Sequence, residues 1–171
     1  MSETPQEPVT YRPIGLIRSP HTSAEETPIQ PAYARGVEGR AEVFEEFADG
    51  LADLEGFSHL ILLYHFHRAG GVRLRVTPFL EDAEHGVFAT RAPCRPNPIG
   101  LSVVRLLRRE GTVLHLADVD VLDGTPLLDV KPYVARFEAQ EDVRSGWQDR
   151  VDERTARSRG RRESGGPGPL A

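Results

Sequence analysis

The chain has 171 residues, 39% hydrophobic and 27% charged, enough for one globular domain with a sizeable core. A formal net charge of −5 argues against whole-surface attraction to nucleic acid or an anionic membrane, so any such contact needs a local patch. The lone Cys94 excludes an intrachain disulfide, no apolar run reaches membrane-spanning length and the first thirty residues lack a signal pattern, so a soluble cytoplasmic protein is expected.

Residues 1–10 open as polar, proline-containing chain and read as a flexible N-terminus ahead of a folded segment at 11–148. Strands are expected at Ile14–Arg18 and Val37–Phe44. Glu45–Leu54 spaces Phe47, Leu51 and Leu54 as a helix would, and Gly50 weakens that helix by about 1 kcal/mol. Further strands are expected at Leu60–Phe66, Gly86–Thr90, Gly100–Leu107, Thr112–Val121 and Leu127–Val130. In Thr112–Val121 the period of two is clear, with Leu114 and Leu116 alternating against Val113, His115 and Ala117. Beyond Asp149 the chain turns arginine-rich and closes as SGGPGPLA, so 149–171 is expected to be a flexible tail. Seven short strands parted by Gly, Pro and Asp turns predict a mainly β, single-domain antiparallel β-barrel with one or two short helices and mobile termini.

Three stretches carry candidate chemistry. RAPCRPNPIGLSVV, residues 91–104, holds two arginines on a chain that three prolines stiffen into polyproline-like geometry. Lacking three backbone donors it belongs at a sheet rim, where Arg91 and Arg95 are either a preorganised site for a carboxylate or phosphate, or partners of surface acids. DVDVLDGTPLLDVKPY, residues 118–133, gathers Asp118, Asp120, Asp123, Asp129 and Lys131 around an Asp-Gly turn. Asp118 and Asp120, two apart, are expected on one face, and Asp123 is either a turn former or a reactive carboxylate. His65 and His67 are expected on one strand face. Two histidines without a third ligand at a telling distance read as polar strand-end groups near a cleft more readily than as a metal site. Nucleotide cradles and nucleophile elbows are absent.

PIGLIRSP at 13–20, LEGFSHLILLYHFHR at 54–68, GVFATRAPCRPNPIGLS at 86–102 and DVLDGTPLLDVKPY at 120–133 occur in that order, and together they resemble the TrmO family, the TsaA-like domain. The resemblance runs from Pro13 to about Trp147. It implies a β-barrel methyltransferase that moves a methyl group from S-adenosylmethionine to N6 of N6-threonylcarbamoyladenosine at position 37 of tRNA. It also implies a homodimer with the cofactor near the subunit contact. Carried over by position, the cofactor is bracketed by Ile29, Gln30 and Pro31, by His67 and Arg68, by Arg91 and Leu101, and by Asp120, Val121, Leu122, Asp123 and Gly124. Some family members carry an additional C-terminal domain, and this chain reads as a short form.

The chemistry of these residues then gives as candidate catalytic set Asp123 as proton acceptor, Lys131 either orienting it or countering charge, with Tyr133 as substitute in the second role, and Arg95 and Asn97, in the stiff 95–98 segment, positioning the acceptor nitrogen. No metal is expected. The rival readings are a same-fold S-adenosylmethionine-dependent methyltransferase with another substrate, a non-catalytic RNA-binding barrel, and a metal-dependent barrel enzyme using His65 and His67. The run Arg154, Arg157, Arg159, Arg161 and Arg162 contains no acid; it is either a grip for RNA phosphates or a solvated tail.

Overall fold

The computed structural model describes residues 7–162, so the expectations for 1–6 and 163–171 lie outside the described residues. Its strands are β1 (Gly15–Arg18), β2 (Glu38–Val43), β3 (His59–His65), β4 (Arg75–Val76), β5 (His85–Gly86), β6 (Ile99–Glu110), β7 (Val113–Ala117) and β8 (Thr125–Pro132). Six of them close an antiparallel barrel in the order β1-β2-β7-β6-β3-β8, while β4 and β5 form a separate ribbon. The expected mainly β barrel is what the chain forms.

Alternation builds the interior. Leu60, Leu62 and Tyr64 of β3 face inward, as do Leu114 and Leu116 of β7, and they meet Ile17, Val104, Val119 and Leu127 in one core. Each such aliphatic side chain taken fully from water stabilises by roughly 1.5–3 kcal/mol. An extra residue in β8, Leu128 opposite Leu63/Tyr64, and one in β6, Leu107 opposite Leu116/His115, bend those two strands, which lets the sheet curl to closure.

The structure corrects four expectations. Gly86–Thr90 is not a strand: Val87–Ala89 makes a 3-10 turn with Val87 buried, and Thr90 donates its hydroxyl to Val87 O at 2.8 Å. Five residues cannot separate a strand from such a turn by periodicity. Thr112–Val121 stops at Ala117 because Asp118 turns left-handed at φ 66°, with its carboxylate accepting from Gly36 N and Arg105. Glu45–Leu51 is a 3-10 rather than an α-helix, and the left-handed Asp53 separates it from a second 3-10 turn at Leu54–Gly56.

The fourth correction concerns the tail. Within 149–171, residues Glu153–Arg161 form helix α2, following the short α1 (Ala135–Glu138) and a 3-10 turn at Gly146–Arg150. Asp152 caps α2 by accepting from Thr155 N at 2.9 Å. Gly160 lies so close to Tyr33 that a Cβ there would sit 2.5 Å from its ring, and Arg162 stacks on Phe79 at 4.1 Å. Among the described residues no helix is long and apolar enough to cross a membrane.

Candidate functional site

Antiparallel closure gives the barrel two rims. The ends of β1, β3 and β7 and the starts of β2, β6 and β8 share one of them, since Arg18 pairs with Arg40, Glu38 with Ala117, His65 with Ile99 and Tyr64 with Leu127. That rim therefore carries the connections 19–37, 66–98 and 118–124. Nearly every residue expected at the cofactor lies on them.

The floor of this rim is a buried polar chain. Tyr64 Oη meets Ser102 Oγ at 2.9 Å, and Ser102 donates to Asp120 Oδ1 at 2.6 Å. Gly100 makes room for it, because a Cβ there would lie 2.2 Å from the Tyr64 ring. Burial pushes the Asp120 carboxyl up to about 7, against the lowering effects of Ser102 and the Arg91 charge. Burial likewise raises the Tyr64 phenol. Asp118, expected on the same face as Asp120, instead points outward and pairs with Arg105 at 2.7 Å. The left-handed kink at Asp118 breaks the period of two.

Above the floor, Arg91 is exposed and donates to Gln30 Oε1 at 2.7 Å. Ile29 N donates to Gly160 O at 3.1 Å, so helix α2 fastens the segment Ile29–Gln30–Pro31 beside Arg91. His67 Nδ1 lies 3.3 Å from Thr125 Oγ1, and burial followed by the charges of Arg68 and His65 lowers its pKa and keeps the ring neutral. Arg68 is exposed next to it. His65 closes β3 and points outward, whereas His67 lies beyond the strand, so the two do not share a face as expected. No group of three His, Cys, Asp or Glu side chains converges among the described residues.

Residues 120–124 form the third wall. Ser19 N donates to Asp123 Oδ1 at 3.1 Å, Asp123 N donates to His21 O at 2.7 Å, and Arg18 Nη1 stands 4.0 Å from Asp123 Oδ2. Gly124 takes a positive φ of 76° and returns the chain to β8, while Val121 is buried and Leu122 half-buried. Asp123 is thus a turn anchor with one carboxylate oxygen taken by backbone and the other beside a cation.

The proline loop sits at the rim as expected, with Pro98 O accepting from Phe66 N at 2.8 Å. Arg95 does not point to solvent: its Nη1 folds back onto Thr90 O and Ala92 O at 2.9 and 3.3 Å, so it braces the loop. Asn97 is exposed at the loop's apex. Lys131 and Tyr133 are not brought to Asp123. Six residue steps along β8, ~20 Å at about 3.3 Å each, separate Thr125 from Lys131. Lys131 pairs with Asp129 at 2.8 Å, and Tyr133 N binds His59 O, both toward the opposite rim. Leu101 lies on the outer face of β6, in register with Leu63.

Sequence reasoning did not single out Tyr64, Ser102, Ser19 or Thr125. The close approach at Gly100, opposite Tyr64 in the register, is the signal that leads to the first two.

Residues 16–139 match the family model of the tRNA-methyltransferase O N-terminal domain. A probable S-adenosyl-L-methionine-binding protein of Pyrococcus abyssi is 58% identical over 139 residues, covering 81% of this chain and 76% of that protein. The tRNA (adenine(37)-N6)-methyltransferase of Escherichia coli is 37% identical over 147 residues, covering 80% of this chain and 63% of its own length. The crystal structure of TrmO from Pseudomonas aeruginosa superposes with a TM-score of 0.69 at 41% identity, covering 82% of this chain and 63% of that one. The chain thus spans under two thirds of the last two relatives.

Proposed function

This chain belongs to the family of the tRNA-methyltransferase O N-terminal domain, and from that premise we propose that it transfers a methyl group from S-adenosylmethionine to N6 of N6-threonylcarbamoyladenosine at position 37 of tRNA. The observation that carries the reading is the convergence of Gln30, Arg91, His67, Thr125 and the 120–124 turn on one rim above the buried Asp120. The residues present fit the cofactor's chemistry. Arg91, which donates to the neutral amide of Gln30, offers a guanidinium for the carboxylate of the methionine end. Asp120, ionised, offers the negative charge that a cation at the rim would favour.

Bound there, S-adenosylmethionine supplies an electrophilic methyl group on a sulfonium. The chain's own residues do the rest. Arg91 and Gln30 fix one end of the donor, and neutral His67 adds no charge repelling the sulfonium. The stiff 95–98 segment, braced by Arg95, would present the exposed Asn97 to the adenosine, a positioning role, and orientation is where most of the acceleration would come from. Charge at Asp120 helps donor affinity more than rate, because positive charge disperses as the methyl leaves. With the donor bound, Asp123 Oδ2, which faces Arg18 while Oδ1 takes Ser19 N, would accept the proton that N6 gives up on methylation.

The reading extends to a cytoplasmic homodimer. The outward side chains Ile61, Leu63, Leu101 and Val103 lie in register on β3 and β6, with Ile99 extending the row, and form an apolar strip on the outside of the barrel. A two-fold contact there buries that strip and places Leu101 between subunits beside each rim.

Incubation with methyl-labelled S-adenosylmethionine and tRNA from cells with or without the threonylcarbamoyl modification tests the reading. Label is expected only in modified tRNA, and label in neither pool contradicts it.

A further inference from the structure

The five arginines near the C-terminus divide into two sets once α2 is formed. Arg159 and Arg162 turn inward: Arg159 pairs with Asp82 at 2.9 Å, and Arg162 stacks on Phe79 and donates to Ala24 O. Together with Gly160 against Tyr33 and the Asp152 cap, they fix which way the helix faces. Arg154, Arg157 and Arg161 are exposed on the opposite face, at spacings of three and four. Glu153 and Ser158 share this face with them.

Two features set this face apart from an ordinary solvated helix. It is a local excess of positive charge on a chain of net charge −5. Among the described residues, Glu153 on this face reaches Arg157 only at 3.8 Å with both side chains mostly exposed, a pair that does little to neutralise Arg157. It is also fastened to the candidate site, because Gly160 O takes Ile29 N and the next residue, Gln30, takes Arg91. From Arg154 to Arg161 the helix rises ~10 Å, which spans about three backbone steps of one nucleic-acid strand at ~3.4 Å each.

We infer that the outward face of α2, Arg154 and Arg157 with Arg161 beside them, is a docking track for the sugar-phosphate backbone of the tRNA whose modified adenosine enters the adjacent rim. This rests on the reading of the rim as a tRNA methyltransferase site. The contacts are to phosphates, so they set affinity and register and carry no sequence preference.

The test is filter binding of unfractionated tRNA to the whole chain across a salt series, alongside cofactor calorimetry and methyl transfer. The double variant Arg154→Glu, Arg157→Glu is expected to weaken tRNA binding about tenfold or more, and Arg154→Ala, Arg157→Ala is expected to flatten the salt slope by about 1.5 to 2. Cofactor affinity is expected to stay within twofold in both. A charge-matched control on the other rim, Arg108→Glu with Arg136→Glu, is expected to leave tRNA affinity within twofold, and Arg154→Lys, Arg157→Lys to restore it. Variants that bind tRNA with unchanged affinity and slope overturn the inference even if the wild type methylates. A wild type that binds tRNA through these arginines yet never methylates it upholds the inference and overturns the reading of the rim.

Discussion

The two rims of one barrel are built differently. At the rim away from the site, β6 and β7 join through a tight turn at Gly111, the connection 44–58 is wound into 3-10 turns, and Arg108 with Glu110 and Lys131 with Asp129 pair only two residues apart. Arg109 ties Leu51 O and Glu55, and the apolar Leu51 and Leu54 plug the barrel beneath them. At the site rim two of the three connections, 19–37 and 66–98, are longer than any at the other, and groups far apart in sequence hold one another: Ser19 with Asp123, Gln30 with Arg91, His67 with Thr125, Ile29 with Gly160. The first rim closes the barrel. The second uses the closed barrel as a fixed base on which long loops carry polar groups, an arrangement suited to binding.

If that contrast is right, substitutions at the two rims separate in kind. The largest effect is expected from Gly100→Val, whose branched side chain meets the Tyr64 ring. It is expected to destabilise the chain by about 1–3 kcal/mol or more, read as a lowered midpoint in urea, and to abolish cofactor binding. Next, Arg91→Ala is expected to weaken S-adenosylmethionine binding by about 1.5–3 kcal/mol, a 10- to 150-fold rise in Kd by calorimetry, with thermal stability unchanged. Gly160→Val presses on Tyr33 and loosens the hold on Ile29, so a several-fold rise in cofactor Kd is expected without loss of the far-band circular dichroism of the barrel. At the far rim, Arg108→Ala breaks an exposed pair and is expected to shift stability by less than about 0.5 kcal/mol, with cofactor affinity untouched. A loss of cofactor affinity in that last variant would erase the contrast.

pH sharpens the same comparison. Burial raises the folded Asp120 carboxyl from 3.8 to about 7, so between those values the folded chain holds a proton that the unfolded chain has released. Its contribution to stability is full below the unfolded value and is lost as pH rises through about 7, with a slope of at most about 1.4 kcal/mol per pH unit. Asp120→Asn is expected to remove that slope from urea titrations. Because a cation favours the ionised carboxylate, cofactor affinity in the wild type is expected to rise as pH passes upward through about 7, with proton release on binding. Identical pH profiles for wild type and Asp120→Asn would remove Asp120 from the site.

Much of the barrel was legible in the sequence because alternation is a local signal. Leu114 and Leu116, or Leu60 and Leu62, announce inward faces wherever the partner strand lies. Where local conformation overrode the pattern, reading failed: the left-handed Asp118 ended a strand early and sent its carboxylate away from Asp120, and a 3-10 turn took the place of a strand at Gly86–Thr90. The site was legible as a set of segments through the family resemblance, but not as geometry. Nothing in the Arg-Pro loop distinguishes Arg91, which reaches Gln30, from Arg95, which folds back on its own loop. Nor does composition reveal that an arginine-rich end docks, since the glycine within α2, Gly160, matters only against a tyrosine 127 positions earlier.

The most direct test is calorimetric titration of S-adenosylmethionine into the wild type, Arg91→Ala and Arg108→Ala chains under one buffer. Saturable binding near one donor per chain, weakened at least tenfold by Arg91→Ala and unchanged by Arg108→Ala, is the predicted result. No heat from the wild type, or equal binding by all three, would contradict the assignment of the donor to this rim.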